Sequence, residues 1–547
     1  MDHSDSLPGT TTPGTTTAPS APPDAEGTPQ PVARIRGLLL RAARAVALWP
    51  ALAMLLIGLY QVTRPELWRD ELASWALSTR TLPQLFAATR SSGAAQEAYY
   101  LILHFWIRAF GDSVLAMRML SVLAMSGAAA CVALTGRRLF SPRAGLAAGL
   151  VLAVVPSISR FAQEVRFYAL ATLAAALATL LLLRAIDRPG WWRWIAYALC
   201  VACVGYLNPV ALTLLAGHAA VAAFHWQRQH PWRPLAFLPA AVAGVALTFP
   251  VIVTGSSQAK AQIGWIHRPD VHLLSQYGAN LFYSTAILAA MVPLAVLAWS
   301  ARTRGAASAT AVAALPVAAV WALSQGSVSY FFPRYLVFTV TAWALLAGAA
   351  IAMARLPVAV AAIVALAAIS AADQHTIRLP GAHGWANYPS GPGGFATSYT
   401  YRSAAQVIAR QLQPGDGIVY QRGRKQLRVI DYGVEYYLRH DLAPGTALPR
   451  ELFIAQTAAQ RGSLYPALCT DPAACAGQPP RVWIVDSGRV RNPYGTIPAA
   501  QRAVLRGSYR VSEILQPGHM TVTLLVRSPH TPRKHRTPMS VAHRGSR

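Results

Sequence analysis

The sequence predicts a polytopic α-helical membrane protein with a soluble α/β domain at its C-terminal end. Three observations carry that reading. Of 547 residues, 54% are hydrophobic and 13% charged, against roughly 25% charged in soluble domains. Apolar runs of bilayer length recur from Val46 to Ala372. From Asp373 the composition turns soluble, with short β-branched runs closed by turn residues.

Residues 1–33 hold Thr, Pro, Ser, Gly and Ala with almost no large apolar side chain, which predicts a disordered cytoplasmic tail. No cleavable leader is evident in that tail, and Arg34, Arg36, Arg41 and Arg44 keep the start of the first span, Val46 to Val62, in the cytoplasm. The stretch from Thr63 to Ser113 is mixed. Ala98 to Phe110 is shorter than the roughly 20 residues a span needs. Its Tyr99, Tyr100, His104, Phe105 and Trp106 are therefore assigned to in-plane helices in the first exported loop. Further spans are predicted at Val114 to Leu134, Ala144 to Ile158, Phe167 to Leu183, Trp191 to Leu207, Val210 to Phe224 and Leu235 to Val253. Others follow at Leu281 to Leu297, Ala306 to Leu323, Tyr335 to Met353 and Pro357 to Ala372. The total is about 11 transmembrane helices.

Charge orients them. Arg137, Arg138 and Arg143, then Arg184, Arg188 and Arg193, Arg228 and Arg233, Arg302 and Arg304, and Arg355 fall in alternate loops, as cytoplasmic loops should. The loops with Asp70, Glu164, Lys260 and Arg334 then face outward, and an odd number of spans exports the C-terminal domain. The expected organisation is a membrane domain at 34–372, an extracytoplasmic α/β domain at 373–527 and a disordered basic tail at 528–547, in the cytoplasmic (inner) membrane. The net charge of +27 reflects this Arg bias, so a nucleic-acid partner is rejected.

In the C-terminal domain Pro414 to Gly417 is a turn before the strand Ile418-Val419-Tyr420, Val482 to Asp486 is a second strand, and Ala404 to Leu412 is helical. Cys131, Cys200 and Cys203 fall in apolar helices as small hydrophobes. Cys469 and Cys475, with Asp471 and Pro472 between them, suit a short disulfide loop in an oxidising compartment.

The chemistry-bearing residues gather in four outward loops: Asp70 and Glu71; Gln163 to Tyr168; Lys260, Trp265, His267 and Arg268; and Tyr330 to Tyr335. Carboxylates and cations on one membrane face suit transfer of a sugar from a lipid phosphate. An Arg fork holds the phosphate, and one carboxylate takes the proton of the acceptor hydroxyl. Each residue also has a plainer reading. Asp70 and Glu71 suit a solvated loop, Arg334 a headgroup anchor, Glu164 and Arg166 structural anchors, and His104 a packing hydrogen bond. No metal-ligand spacing is present. The adjacent carboxylates suit a divalent ion, but no fuller oxygen cage is legible, so the metal is unknown. A transporter or flippase would carry ionisable groups within its spans and an internal repeat, which are missing here. A non-catalytic cell-envelope assembly protein would leave the acidic pair idle.

Trp68-Arg69-Asp70-Glu71, Tyr99-Tyr100 with His104 and Trp106, Gly111-Asp112-Ser113, Arg118-Met119-Leu120-Ser121, Gln163 to Tyr168 and Arg334-Tyr335 together resemble the bacterial branch of the protein mannosyltransferase family. The resemblance covers about Val46 to Ala372. It implies a GT-C fold, a polyprenyl-phosphate-sugar donor, inversion at the anomeric carbon and an active site on the outer face. Asp70 would be the base with Glu71 its neighbour, and Arg166 and Arg334 the phosphate contacts. Glu164, as a secondary site acid, and Tyr168, Tyr99, Tyr100, His104 and Tyr335 would be substrate-contact candidates, and Lys260 and His267 are further candidates from their place in an outward loop. The acceptor is a glycan, lipid or protein, and the sugar, mannose, arabinose or similar, is not fixed. Where the family has two prolines before the Tyr pair, this chain has Gln96-Glu97-Ala98; Glu97 suits a replacement contact or a helix-start acid.

Overall fold

The computed structural model describes residues 46–188, 190–226, 235–380, 400–422 and 429–528. Apart from Ser528, the tails expected to be disordered at 1–33 and 528–547 lie outside the described residues. The first half of the chain forms α1 (Val46–Leu59), α2 (Arg69–Ser78), α3 (Leu82–Ser91), α4 (Glu97–Phe110), α5 (Val114–Leu139), α6 (Pro142–Val154), α7 (Pro156–Ala162), α8 (Tyr168–Asp187) and α9 (Trp191–Leu207).

Among the described residues five helices are long and apolar enough to cross a bilayer: α5, α8, Arg304–Leu323, Pro333–Met353 and Leu356–Thr376. Counting each bent pair as one span raises this to eight. The pairs are α6 with α7, bent by 68°, Phe237–Leu247 with Phe249–Ile263, by 57°, and Val271–Phe282 with Thr285–Ala301, by 95°. Helices α1, α9 and Pro209–His225 are apolar but shorter. The chain is a multi-pass membrane protein. Three expected spans contain a break, Ala144 to Ile158, Leu235 to Val253 and Leu281 to Leu297, and the causes of the first and third are plain. Val155 is extended before Pro156, whose ring and missing N–H stop α6. Tyr283 adopts φ +58°, and the Ser284 hydroxyl caps a new helix by accepting from Ile287 N–H at 3.0 Å, so Leu281 and Phe282 close the preceding helix. Small residues let helices approach closely: a Cβ on Gly145 of α6 would collide with the α5 backbone at Ala133.

The expected boundary at residue 373 falls inside a helix. Leu356–Thr376 continues through it, and just beyond, Arg378 donates to the carbonyls of Tyr60 (3.0 Å) and Ile57 (2.8 Å). Those carbonyls end α1, where orphan acceptors need donors. Gln163 supplies two more, to Gly58 and Tyr60, both at 2.8 Å. The segment after α1 is thereby fixed, and with it the start of α2.

The C-terminal domain is a five-stranded sheet in the order β2-β1-β5-β7-β6, with β1 (Gly417–Tyr420), β2 (Arg450–Glu451), β5 (Arg481–Ser487), β6 (Tyr509–Leu515) and β7 (Met520–Arg527). The two expected strands are neighbours: β1 and β5 run parallel, with Ile418 opposite Trp483. The helices Tyr401–Gln411, Ile430–Asp441 and Ala499–Ser508 belong to the same domain. A two-stranded ribbon, β3 (Ile454–Gln456) with β4 (Ala467–Leu468), precedes the disulfide that joins Cys469 to Cys475.

Candidate active site

The acidic pair opens α2, where carboxylates in the first turn face the positive end of the helix dipole. The two members then part. Glu71 is fully buried against Arg118, also fully buried. Its Oε1 accepts from Arg118 Nε (3.1 Å) and Val165 N–H (2.9 Å), and its Oε2 from the Arg118 guanidinium (3.0 Å) and Trp68 N–H (3.2 Å). Arg118 also donates to the carbonyls of Val62 (2.6 Å), Pro65 (2.9 Å) and Glu66 (3.3 Å). This is a knot that ties α2 to α5 and to the segment that follows α1.

Asp70 keeps 16% side-chain exposure and lies among guanidinium groups. Its Oδ1 accepts from Arg69 Nε at 3.1 Å and its Oδ2 from the Arg334 guanidinium at 3.2 Å. Burial raises its pKa, but the nearby guanidiniums of Arg69, Arg166 and Arg334 outweigh that and hold the carboxyl at about 2. The Glu71 oxygens are taken up by Arg118 and backbone N–H groups, whereas each Asp70 oxygen accepts one guanidinium hydrogen bond. Among the described residues no three His, Cys, Asp or Glu side chains group as a metal site.

Arg166 reaches the Asp70 side of the loop. Its guanidinium donates to the Ser74 hydroxyl at 3.4 Å, and that hydroxyl donates to the Asp70 carbonyl at 3.0 Å. Arg334 lies among four rings, 5.9 Å from Trp68, 5.9 Å from Tyr168, 5.2 Å from Phe332 and 5.6 Å from Tyr335. This is a packed aromatic collar rather than a headgroup anchor, since Arg334 is buried. Glu164 pairs with Arg160 at 3.0 Å, one helical turn back, and its Oε1 accepts from Trp68 Nε1 at 2.9 Å. Burial raises its pKa, opposed first by Arg160.

The remaining candidates divide. Tyr99 and Tyr168 are buried, and their hydroxyls have no hydrogen-bond partner among the described residues. The same is true of Arg166 Nε. Tyr100 donates to Gln96 at 2.5 Å. The buried His104 bonds through Nδ1 to the Ser78 carbonyl at 2.8 Å, tying α4 to α2. Tyr335 lends its carbonyl to Asn208 Nδ2 (3.0 Å) and its ring to the collar. Lys260 and His267 are exposed and are not among the partners of Asp70. Glu97 bonds the Thr89 hydroxyl. Arg69 and Arg118 complete the site, and sequence reasoning assigned neither a role. A further unforeseen residue is Gln258, which accepts from the N–H groups of Gly93 (2.9 Å) and Ala94 (3.0 Å) and donates to the carbonyls of Thr89 (3.2 Å) and Arg90 (2.9 Å).

Residues 98–253 match the model of a family described as dolichyl-phosphate-mannose-protein mannosyltransferase. Among solved structures, ArnT from Cupriavidus metallidurans in the apo state is similar with a TM-score of 0.54 and 14% identity, over 90% of this chain and 98% of that one. At that identity the likeness establishes the fold. The same protein bound to undecaprenyl phosphate matches with a TM-score of 0.49 and 14% identity, over 88% and 98%. The Archaeoglobus fulgidus oligosaccharyltransferase in the apo form matches with 0.44 and 10%, over 81% and 69%. No curated protein matches the sequence. The chain is therefore similar to that mannosyltransferase family over residues 98–253 and shares the fold of ArnT.

Proposed function

We infer that this protein-mannosyltransferase-like chain is an inverting glycosyltransferase. It moves a sugar, mannose, arabinose or similar, from a polyprenyl-phosphate donor to a glycan, glycolipid or protein acceptor outside the cytoplasm, with Asp70 as general base. One observation carries the reading: Glu71 is matched by Arg118 and Glu164 by Arg160, whereas Asp70 stands alone among Arg69, Arg166 and Arg334. Three carboxylates, Asp70, Glu71 and Glu164, stand among five guanidiniums, Arg69, Arg118, Arg160, Arg166 and Arg334, so the site holds more positive than negative charge. A sugar phosphodiester brings one negative charge, and the departing phosphate carries two, so the surplus fits the leaving group better than the bound donor. An interaction that strengthens as charge develops is the kind that accelerates a reaction.

In the step itself the acceptor oxygen forms a bond to the anomeric carbon as the bond from that carbon to the phosphate oxygen breaks. The phosphate leaves with the bonding electron pair. Asp70 takes the acceptor's proton. A carboxyl held at about 2 is a poor base, and the reading supplies the remedy. A phosphate that draws Arg166 and Arg334 toward itself lifts the depression on Asp70, so the base gains strength only when donor is bound. Tyr99, Tyr168 and Arg166 Nε offer unused donors to the incoming oxygens. Glu71 and Arg118 hold the loop and stay out of the chemistry.

The test is purified protein in sealed lipid vesicles with a panel of polyprenyl-phosphate sugars. Transfer, or slow donor hydrolysis, supports the assignment. Movement of intact donor across the bilayer without cleavage would put a flippase in its place.

A further inference from the structure

Gly111-Asp112-Ser113 plays no part in the chemistry above, yet Asp112 lies where three parts of the chain meet. It sits in the turn between α4 and α5. Its Oδ2 accepts from Trp75 Nε1 of α2 at 2.9 Å, and its carbonyl from the Tyr436 hydroxyl of the C-terminal domain at 2.9 Å. Its Oδ1 lies 3.4 Å from His440 Nε2 on the same helix as Tyr436, Ile430–Asp441. The Tyr436 ring meets Trp75 edge-on at 5.1 Å. His440 Nδ1 bonds the Tyr436 carbonyl at 2.8 Å, which aims Nε2 at Asp112. Trp75 follows Asp70 on the same helix, α2.

We propose that Asp112 and His440 are positioning residues: protonated His440 clamps the C-terminal domain to Trp75 and so holds α2, with Asp70 at its start, in its working place. The proposal rests on the glycosyltransferase reading for its consequence but not for the clamp.

The pair is able to titrate because it is about one-third exposed and borders a cavity of about 410 Å³ lined also by Arg439, Pro444 and Thr446. The charged groups facing His440 are Asp112 across the junction and Asp441 and Arg439 on its own helix. The hydrogen bond to Asp112 raises the pKa of His440 despite its burial, and the same bond lowers that of Asp112. A raised histidine pKa means that the clamp is closed below the ordinary value and is lost as pH rises through the folded one.

The experiment compares wild type, His440→Gln and Asp112→Asn as full-length protein in lipid between about pH 6 and about pH 9, by donor turnover and by hydrogen exchange corrected for intrinsic rates. Gln places a neutral amide donor where Nε2–H was, at every pH. Asn keeps an acceptor for Trp75 but removes the charge. Wild-type turnover should fall about two- to fivefold across the window, the factor a partly exposed ion pair can supply. It should fall in kcat rather than KM, while His440→Gln stays level. Protection of residues 69–78 and 430–441 should fall together in wild type and stay level in His440→Gln. Asp112→Asn should show the open state throughout. Exchange that is independent of pH in wild type, or the same in wild type and His440→Gln, overturns the clamp. Coupled exchange with a level wild-type kcat overturns its positioning role. Coupled exchange with no turnover of any donor leaves the clamp standing and rejects the glycosyltransferase reading.

Discussion

Replacing Glu71 with Gln separates a residue that builds the site from one that acts in it. The Glu71 carboxylate accepts four hydrogen bonds, two from Arg118 and two from backbone N–H groups. Neither it nor Arg118 touches solvent. In Glu71→Gln the guanidinium keeps its three carbonyl partners but loses its counter-ion. Removing one partner of a buried ion pair costs about 3–5 kcal/mol. The new amide N–H₂ must also face a donor where an oxygen accepted, which adds roughly 1–3 kcal/mol. Folded proteins have only about 5–15 kcal/mol to lose. We therefore expect a steep loss of folded yield and a lower thermal unfolding midpoint in detergent, with donor affinity per folded molecule close to wild type. A wild-type midpoint together with lost turnover would refute the reasoning and return Glu71 to the chemistry.

Arg334→Lys should weaken donor binding about tenfold, because a point charge replaces a planar fork packed among four rings; unchanged binding measured with a radiolabelled donor would contradict the phosphate role. The profiles of kcat/KM and kcat against pH should part on the acid side. Free Asp70 stays ionised down to about 2, whereas donor binding lifts its pKa, so kcat should begin to fall at higher pH than kcat/KM, and coincident limbs would argue against a base armed by phosphate. Cys469 and Cys475 should resist maleimide until a reductant is added; labelling of both without reductant would show the disulfide absent from the working protein.

What was legible in the sequence follows from how local each signal is. Asp70 and the helix after it declare themselves within four residues, Trp68 to Glu71. The partner of Glu71 lies 47 positions away, and no spacing rule reaches it. The pairing of Glu164 is within reach of spacing, because Arg160 stands four residues back, whereas Arg166, two residues ahead, is not the cation that pairs with it. The docking helix of the C-terminal domain also carried a readable stripe, since Tyr432, Tyr436 and His440 recur every four residues. Tyr432 accepts from Arg80 at 3.1 Å, and the other two residues meet Asp112. An apolar window cannot see the break at Tyr283 and Ser284, because it averages hydropathy and ignores backbone hydrogen bonds. The same limit hides Gln258, whose side chain satisfies main-chain groups of Thr89, Arg90, Gly93 and Ala94.

The central claim is that Asp70 takes the acceptor's proton while the surrounding guanidiniums hold the phosphate. Asp70→Asn tests it most directly, with turnover and donor binding measured on the same purified protein in lipid. Loss of a general base commonly lowers the rate by about 10²- to 10⁴-fold, and Asp70→Asn should show a fall of that size with donor still bound. Turnover near the wild-type rate would contradict it.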